Sequence, residues 1–430
     1  MILKIKSSNE YLLNILYKKS DINNGVTLLS NKNGYIIGHV ISENQYDILF
    51  QDTKYSYNEN MSNMLDQQSL SNSKIVLDIN NGLFNNLLKP IGEVLDTINL
   101  HANKTYRDID TKECTIEISN VFIDSTWVKD NKFLLCKYFP QHIIGFEKIS
   151  GDQYKFNIKA DSVVEAINIL SFVFLMITVT NEQPYFLADA LVKKYIRILS
   201  NIKNLPYFVV YLFKVRVLFS PTLFNSNKEL LENLIPNLTL TMHNNHTHKV
   251  DYITELFKDD SNDILDFGCG ELKYFKKLGS LLKGDTRNYF AVDLEDYTDY
   301  LNKLAEKYKF AASFYKNIRD IKLEKPTTVI CSEVIEHMNL DNAKNELEYL
   351  LYNSLVDKII ITTPNKEFNE HYMMGRDMRH DDHQIEMTDM EFQKFIISLS
   401  NIDMFDITHC GLGDTIEGVQ PTSLVILKRK

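Results

Sequence analysis

The strongest constraint on this chain is a change of rhythm near residue 250. From there, short apolar runs alternate with helical stretches: "DILDFGCG", "NYFAVDLED", "TTVICSEV", "DKIIITTPN" and a closing "TSLVILKRK". Continuous apolar runs of this length fit strands buried on both faces. Separated by helices, they imply a mainly parallel sheet with helices on each side. The expected fold of this half is therefore α/β and doubly wound, with ligands gathering at the carboxyl ends of the strands.

The first half reads differently. Up to about residue 150 it offers short alternating runs, "VTLLSNKNGYIIGHVIS", "KIVLDINNGLF", "CTIEISNVFI" and "KFLLCKYF", expected as strands. Longer helical segments follow, "ADSVVEAINILSFVFLMITVT" and "PYFLADALVKKYIRILSNI". A connector with a short helix, "FSPTLFNSNKELLENLIPNLTLTMHNNHTHK", leads into the second half. The expected division is an α+β domain over residues 1–225, strand-rich to 150 and helical from 151, followed by a catalytic domain over 226–430.

Composition narrows the classes. With 44% hydrophobic and 24% charged residues the chain reads as soluble and globular. Its most apolar run, "ILSFVFLMITV", is too short to span a bilayer, and "MILKIKSSNE" alternates like a strand rather than a leader, so neither a membrane partner nor a signal peptide is expected. The five scattered cysteines form no CxxC pair, which points to reduced thiols in a cytoplasm. A formal net charge of −10 argues against gripping long nucleic acid through its backbone, though not against reading a chain end.

Two clusters carry chemistry. In "ILDFGCGEL" an apolar strand ends at Asp266, and Gly268 and Gly270 let the backbone pass close to a ligand before a helix begins. Asp293, ending the next strand in "FAVDLED", suits an acceptor for ribose hydroxyls. The dinucleotide fingerprint GxGxxG is absent. The second cluster is "CSEVIEHM". With a helix starting near Ser332, the residues Glu333, Glu336 and His337 would share one face. Two carboxylates and an imidazole there suit Mn²⁺ or Mg²⁺ with positions left for substrate oxygens. A further His-rich stretch, "RHDDHQIEMT", follows the fourth strand and would meet them from a neighbouring loop.

The hhDhGCGE pattern resembles the first motif of class I S-adenosylmethionine-dependent methyltransferases. "SEVIEHM", "TTPNKEFN", "RHDDHQIEMTDMEF" and "GVQPTSLVIL" together resemble the HEN-type RNA 3′-terminal ribose 2′-O-methyltransferases, from about residue 230 to the end. The resemblance implies that Glu333, Glu336, His337 and His383 hold a divalent metal that chelates both vicinal hydroxyls of the last nucleotide. It implies S-adenosylmethionine as cofactor, with Asp266, Gly268, Gly270, Asp293, Asp320 and Ser332 on its side of the site. Where the family usually has an aromatic residue after the DH pair, Met387 stands here.

More weakly, "YKFNIKADSVVEAINILSFVFLMITVTNEQPYFLADALVKKYIRIL" resembles the helical part of the amino-terminal domain of bacterial members, which work with a polynucleotide kinase-phosphatase and an RNA ligase. The first half is then an interaction module. His380, Arg376 and Arg379 are candidates for contact with the substrate phosphate. His243, His246 and His248 read as solvated or RNA-facing rather than as a second metal site. The alternatives are a methyltransferase for another substrate class and a non-catalytic assembly subunit.

Overall fold

The computed structural model describes residues 2–16, 26–31, 34–52, 109–123, 125–179, 189–282, 286–372 and 378–430. The chain divides into two compact units, Met1–Leu205 and Pro206–Lys430.

In the first unit β1 (Ile2–Ser7), β2 (Val26–Asn31), β3 (Gly34–Ser42), β4 (Gln45–Asp52), β5 (Cys114–Phe122), β6 (Ile143–Ser150) and β7 (Gln153–Ala160) form one sheet in the order β2-β3-β4-β1-β5-β7-β6. Every pairing in it is antiparallel. Its helices among the described residues are α1 (Leu12–Leu16), α2 (Ser125–Tyr138), α3 (Val163–Val179) and α4 (Asp189–Ser200). Helix α3 packs on β5 and β7 and is apolar on nearly every side, as a fully enclosed helix must be. No helix among the described residues is long and apolar enough to cross a membrane.

One expected strand is a helix. All of "KFLLCKYF" but its last residue lies in α2; Val128 and Leu135 are buried within the helix and Phe139 just after it. Those positions recur at helical spacing, a period visible only when the run is extended backwards to Ser125. The expected strand "KIVLDINNGLF" lies outside the described residues.

The second unit begins with α5 (Tyr207–Val217) and α6 (Pro221–Glu232), then β8 (Leu238–Thr239) and α7 (Asn245–Glu255). Alternating elements follow: β9 (Asp263–Phe267), α8 (Lys273–Leu281), β10 (Tyr289–Val292), α9 (Thr298–Tyr308), β11 (Ala312–Tyr315), β12 (Thr327–Ser332), α10 (Leu340–Tyr352), β13 (Val356–Pro364) and α11 (Asp389–Ile397). The chain closes with β14 (Phe405–Leu412), β15 (Thr415–Ile416) and β16 (Thr422–Arg429). The main sheet runs β11-β10-β9-β12-β13-β16-β14, and β16 alone is antiparallel to its neighbours. This is the class I methyltransferase fold expected from the sequence.

Both faces of that sheet are covered. Leu265, Phe267, Val329, Cys331, Ile359 and Ile361 belong to one buried cluster, while Ile264, Ala291, Ile330 and Ile360 belong to the other. Successive strand residues thus point into opposite cores, which explains why the runs are apolar without alternation. Strand order reverses between β9 and β12, and a crevice opens at their carboxyl ends.

Three features add to the expected layout. Residues 206–225, expected at the end of the first domain, pack within the second compact unit. The buried Lys214 of α5 requires a counter-charge, and Asp414 supplies it at 2.6 Å while also accepting from Tyr207 Oη at 2.8 Å. Strands β11 and β14 were not foreseen, because as sheet edges they lack a clear apolar pattern. The supposed connector is mostly ordered: α6 spans Pro221–Glu232, and α7 starts at Asn245 within the histidine-bearing stretch.

Candidate active site

The glycine turn after β9 is built for close approach. Gly268 and Gly270 have φ of +77° and +45°, in the left-handed region. A Cβ on Gly268 would lie 2.4 Å from Val334 Cγ2, so this position admits no side chain without displacement. Gly268 N and Cys269 N both donate to Val292 O, tying the turn to the end of β10. Asp293, the next residue, accepts from Gly270 N at 2.8 Å and from Glu295 N at 3.0 Å. A cavity of about 650 Å³ lies against this turn, walled by Gly268, Gly270, Asp293, Asn317, Arg319 and Met338 among others. That volume is in the range of small-molecule sites.

Asp266 does not line this cavity. It is buried beneath the turn and accepts a hydrogen bond from Tyr289 Oη. Burial pushes its carboxyl up to about 7, and the Asp293 charge adds to the rise against the tyrosine hydrogen bond. Asp320 closes a 3-10 turn, Ile318–Asp320, with an exposed side chain and does not line the cavity; its neighbours Asn317, Ile318 and Arg319 do. Ser332 faces a second cavity, accepting from Tyr274 Oη at 2.7 Å and sharing a hydrogen bond with Thr362 Oγ1 at 2.8 Å.

This second cavity, about 390 Å³, is lined by Glu333, Glu336, His337, His380 and His383 and by the basic side chains Lys249 and Lys273. It shares Gly268, Gly270, Glu333 and His337 with the first, so the two adjoin. One ligand atom from each of Glu336, His337 and His383 lies within 4.8 Å of the others. The two imidazoles stand edge to face with centroids 4.9 Å apart.

No α-helix begins at Ser332. Glu333 takes φ +57°, Ile335–His337 form a 3-10 turn, and α10 starts only at Leu340 behind the Asn339 cap. The reason is packing: Val334 and Ile335 turn inward, and Val334 fills the space beside Gly268. A common helix face therefore does not explain the cluster. Glu336 and His337 reach it from consecutive positions of a tight turn, and His383 from the loop before α11.

Glu333 is engaged elsewhere. Its Oε2 lies 3.1 Å from Lys249 Nζ and its Oε1 accepts from Thr362 Oγ1 at 3.1 Å. Burial alone would raise its carboxyl; the Lys249 ammonium overrides this and holds it below the usual range. Glu336 goes the other way, pushed well up by burial and then by the Glu333 charge. Thr363 Oγ1 donates to Glu336 Oε2 at 3.3 Å, whereas Glu336 Oε1 is buried with no donor among the described residues. A buried carboxylate oxygen without a donor, flanked by two imidazoles, fits a divalent cation.

Sequence reasoning missed Glu386. Its Oε1 lies 2.5 Å from His383 Nδ1, and it also accepts from Asn369 Nδ2 and Arg379 N. The hydrogen bond makes Nδ1 the protonated nitrogen and leaves Nε2 with the lone pair. Its only signal was an acid three residues after the histidine in "DHQIE". Arg379 does not present its guanidinium to a phosphate: it donates to Asn369 Oδ1, Pro421 O and Asn365 O. Arg376 lies outside the described residues. His380 is exposed on the cavity rim, its ring 5.1 Å from that of His383. Of the three histidines near the start of α7, His246 lines the same cavity, while His243 and His248 do not.

A family model described as the Hen1 N-terminal domain matches residues 2–235, more than half of the chain. The chain belongs to the Hen1 family. A chain in a solved structure of the Pnkp1/Rnl/Hen1 RNA repair complex is 32% identical, with a TM-score of 0.77 and full coverage of both chains. A chain in another solved Pnkp1/Rnl/Hen1 complex is 33% identical with a TM-score of 0.80, again over both full lengths. Two curated Small RNA 2′-O-methyltransferases match over shorter stretches. That of Xenopus tropicalis is 30% identical over 86 residues, covering 20% of this chain and 23% of its own. That of Caenorhabditis elegans is 37% identical over 73 residues, or 17% and 16%. This chain thus spans less than a quarter of the curated relatives that it matches. The Hen1 family model extends beyond the first compact unit and takes in α5 and α6 of the second.

Proposed function

We propose that this Hen1-family chain methylates the 2′ oxygen of the terminal ribose at an RNA 3′ end, using S-adenosylmethionine and a divalent metal. The observation that carries the reading is the convergence of Glu336, His337 and His383 in a cavity adjoining the glycine-turn cavity.

S-adenosylmethionine bound against the turn would supply an activated methyl group. Gly268 and Gly270 keep that wall free of side chains, and Asp293, fixed by two backbone donors, offers further lone pairs to ribose hydroxyls. Mn²⁺ or Mg²⁺, held by Glu336, His337 and His383, would acidify a ribose hydroxyl and favour a terminus carrying two vicinal hydroxyls. Glu386 orients the His383 ring, and Thr363 steadies the Glu336 carboxylate. Lys273, on the same wall, favours an anionic substrate, Lys249 being paired with Glu333. With a net charge of −10 the chain suits reading a terminus better than coating a duplex.

The test is methyl transfer from labelled S-adenosylmethionine to a short RNA. Chelator or E336Q should abolish transfer while cofactor binding persists; transfer that survives both would refute the metal-assisted reading.

The amino-terminal unit then serves as a docking module in an assembly with a kinase-phosphatase and an RNA ligase. The full-length likeness to chains from Pnkp1/Rnl/Hen1 complexes supports this. Gel filtration of the three proteins together should give one co-eluting species, and separate elution would count against the assembly.

A further inference from the structure

A second cluster of metal-ligating side chains lies in the first unit, far along the sequence from the residues discussed above. His142 sits in the loop between α2 and β6, Asp161 follows β7, and Glu165 stands in the first turn of α3. One ligand atom from each lies within 4.8 Å of the others, and His142 Nε2 is 3.2 Å from Glu165 Oε1.

Among the described residues, no backbone or side-chain donor other than His142 engages these carboxylates. "SVVE" at the start of α3 has the spacing of a capping box, in which Glu165 would turn back to the Ser162 backbone. Half of that box forms: Ser162 Oγ accepts from Glu165 N at 3.1 Å. The other free N–H groups go to Asp110, whose carboxylate accepts from Val163 N at 3.1 Å and Val164 N at 2.9 Å. Glu165 is thus released from capping and faces His142. Asp161 is exposed and makes no hydrogen bond among the described residues. Independently, the His142 side chain is only 9% exposed, and neither ring nitrogen has a hydrogen-bond partner among the described residues. A buried imidazole in that state beside two carboxylates suits a cation.

We propose that His142, Asp161 and Glu165 form a binding site for a divalent first-row transition ion such as Zn²⁺ or Mn²⁺. One imidazole and two carboxylates suit such ions, with water completing the shell. The ion ties the loop after α2 to the start of α3, clipping the edge strand β6 to the helix that covers the sheet. Its role is structural, and it does not depend on the reading of the other cavity.

The experiment uses the full chain carrying H337A and H383A, which removes the imidazoles of the other cluster. After chelator treatment, equilibrium dialysis against Zn²⁺ and separately Mn²⁺ should show one retained ion per chain and a higher thermal midpoint. Adding H142A should abolish both effects. Adding D161N, at an exposed position without hydrogen bonds among the described residues, should weaken binding by roughly tenfold or more, since even outer partners of a metal are worth that. D161N keeps the test open should H142A fail to fold. Absence of a retained ion in the H337A/H383A chain would overturn the proposal. So would equal affinity with and without D161N, or an H142A loss of midpoint that is the same with and without metal, the mark of a simple ion pair.

Discussion

Lys249 Nζ lies 3.1 Å from Glu333 Oε2, and the lysine side chain is only 4% exposed. One of the four expected metal ligands is therefore paired with an internal cation from α7 while the other three converge. The pair predicts a linkage. In K249M the Glu333 carboxylate loses its counter-charge, costing about 1–3 kcal/mol after allowance for its partial exposure. A bound Mn²⁺ should restore part of that loss, and Mn²⁺ affinity should rise because a positive charge has gone. Thermal melts of wild type and K249M with and without Mn²⁺ check this; an equal loss in both conditions would contradict it.

Glu386 anchors His383 through Nδ1 at 2.5 Å. E386A should lower divalent-metal affinity by roughly 10–100-fold, and E386Q, which keeps an acceptor, should lower it less. Calorimetric titration with Mn²⁺ separates the two; indistinguishable variants would mean that the contact does not orient the ligand.

Asp266 predicts a pH dependence. Burial lifts its carboxyl from 3.8 to about 7 in the folded chain. A folded-state value above the unfolded one means that the native state holds the proton more tightly. The resulting stability is complete below about pH 4 and is lost as pH rises through 7. D266N cannot ionise, so relative to wild type it should gain on the order of 2 kcal/mol between pH 5 and pH 8. Denaturant melts across that range provide the measurement, and a wild-type advantage that grows with pH would defeat the argument.

Gly268 combines φ +77° with a Cβ position 2.4 Å from Val334 Cγ2. G268A should cost about 1–2 kcal/mol for the left-handed conformation alone, plus the clash. V334A should recover the clash but not the backbone term. Binding of S-adenosylmethionine, measured for both single variants and the double, should show that partial rescue.

Much of the second unit was legible because short apolar runs bounded by turns and alternating with helical stretches mark strands buried on both faces: Ile359, Ile360 and Ile361 are all buried, into alternate cores. The glycine turn was equally plain, since positive φ and close packing at Gly268 leave few choices of residue. The turn carrying Glu336 and His337 was misread as a helix because spacing alone does not reveal that Val334 must fill the gap beside Gly268. Residues 206–225 pack with the second compact unit, a contact hidden in the sequence because Asp414, which neutralises Lys214, lies 200 residues away. Glu386 escaped notice for a similar reason: its partners Asn369, Arg379 and His383 meet only after the loop folds.

The proposed chemistry selects one kind of RNA end. Labelled S-adenosylmethionine and Mn²⁺ should be incubated with one RNA sequence ending in ribose, 2′-deoxyribose or a 3′-phosphorylated ribose. Label is expected on the first alone, at the terminal 2′ oxygen. Comparable labelling of the 3′-phosphorylated end would contradict it, because that terminus lacks the vicinal pair which Glu336, His337 and His383 are proposed to recognise through their metal.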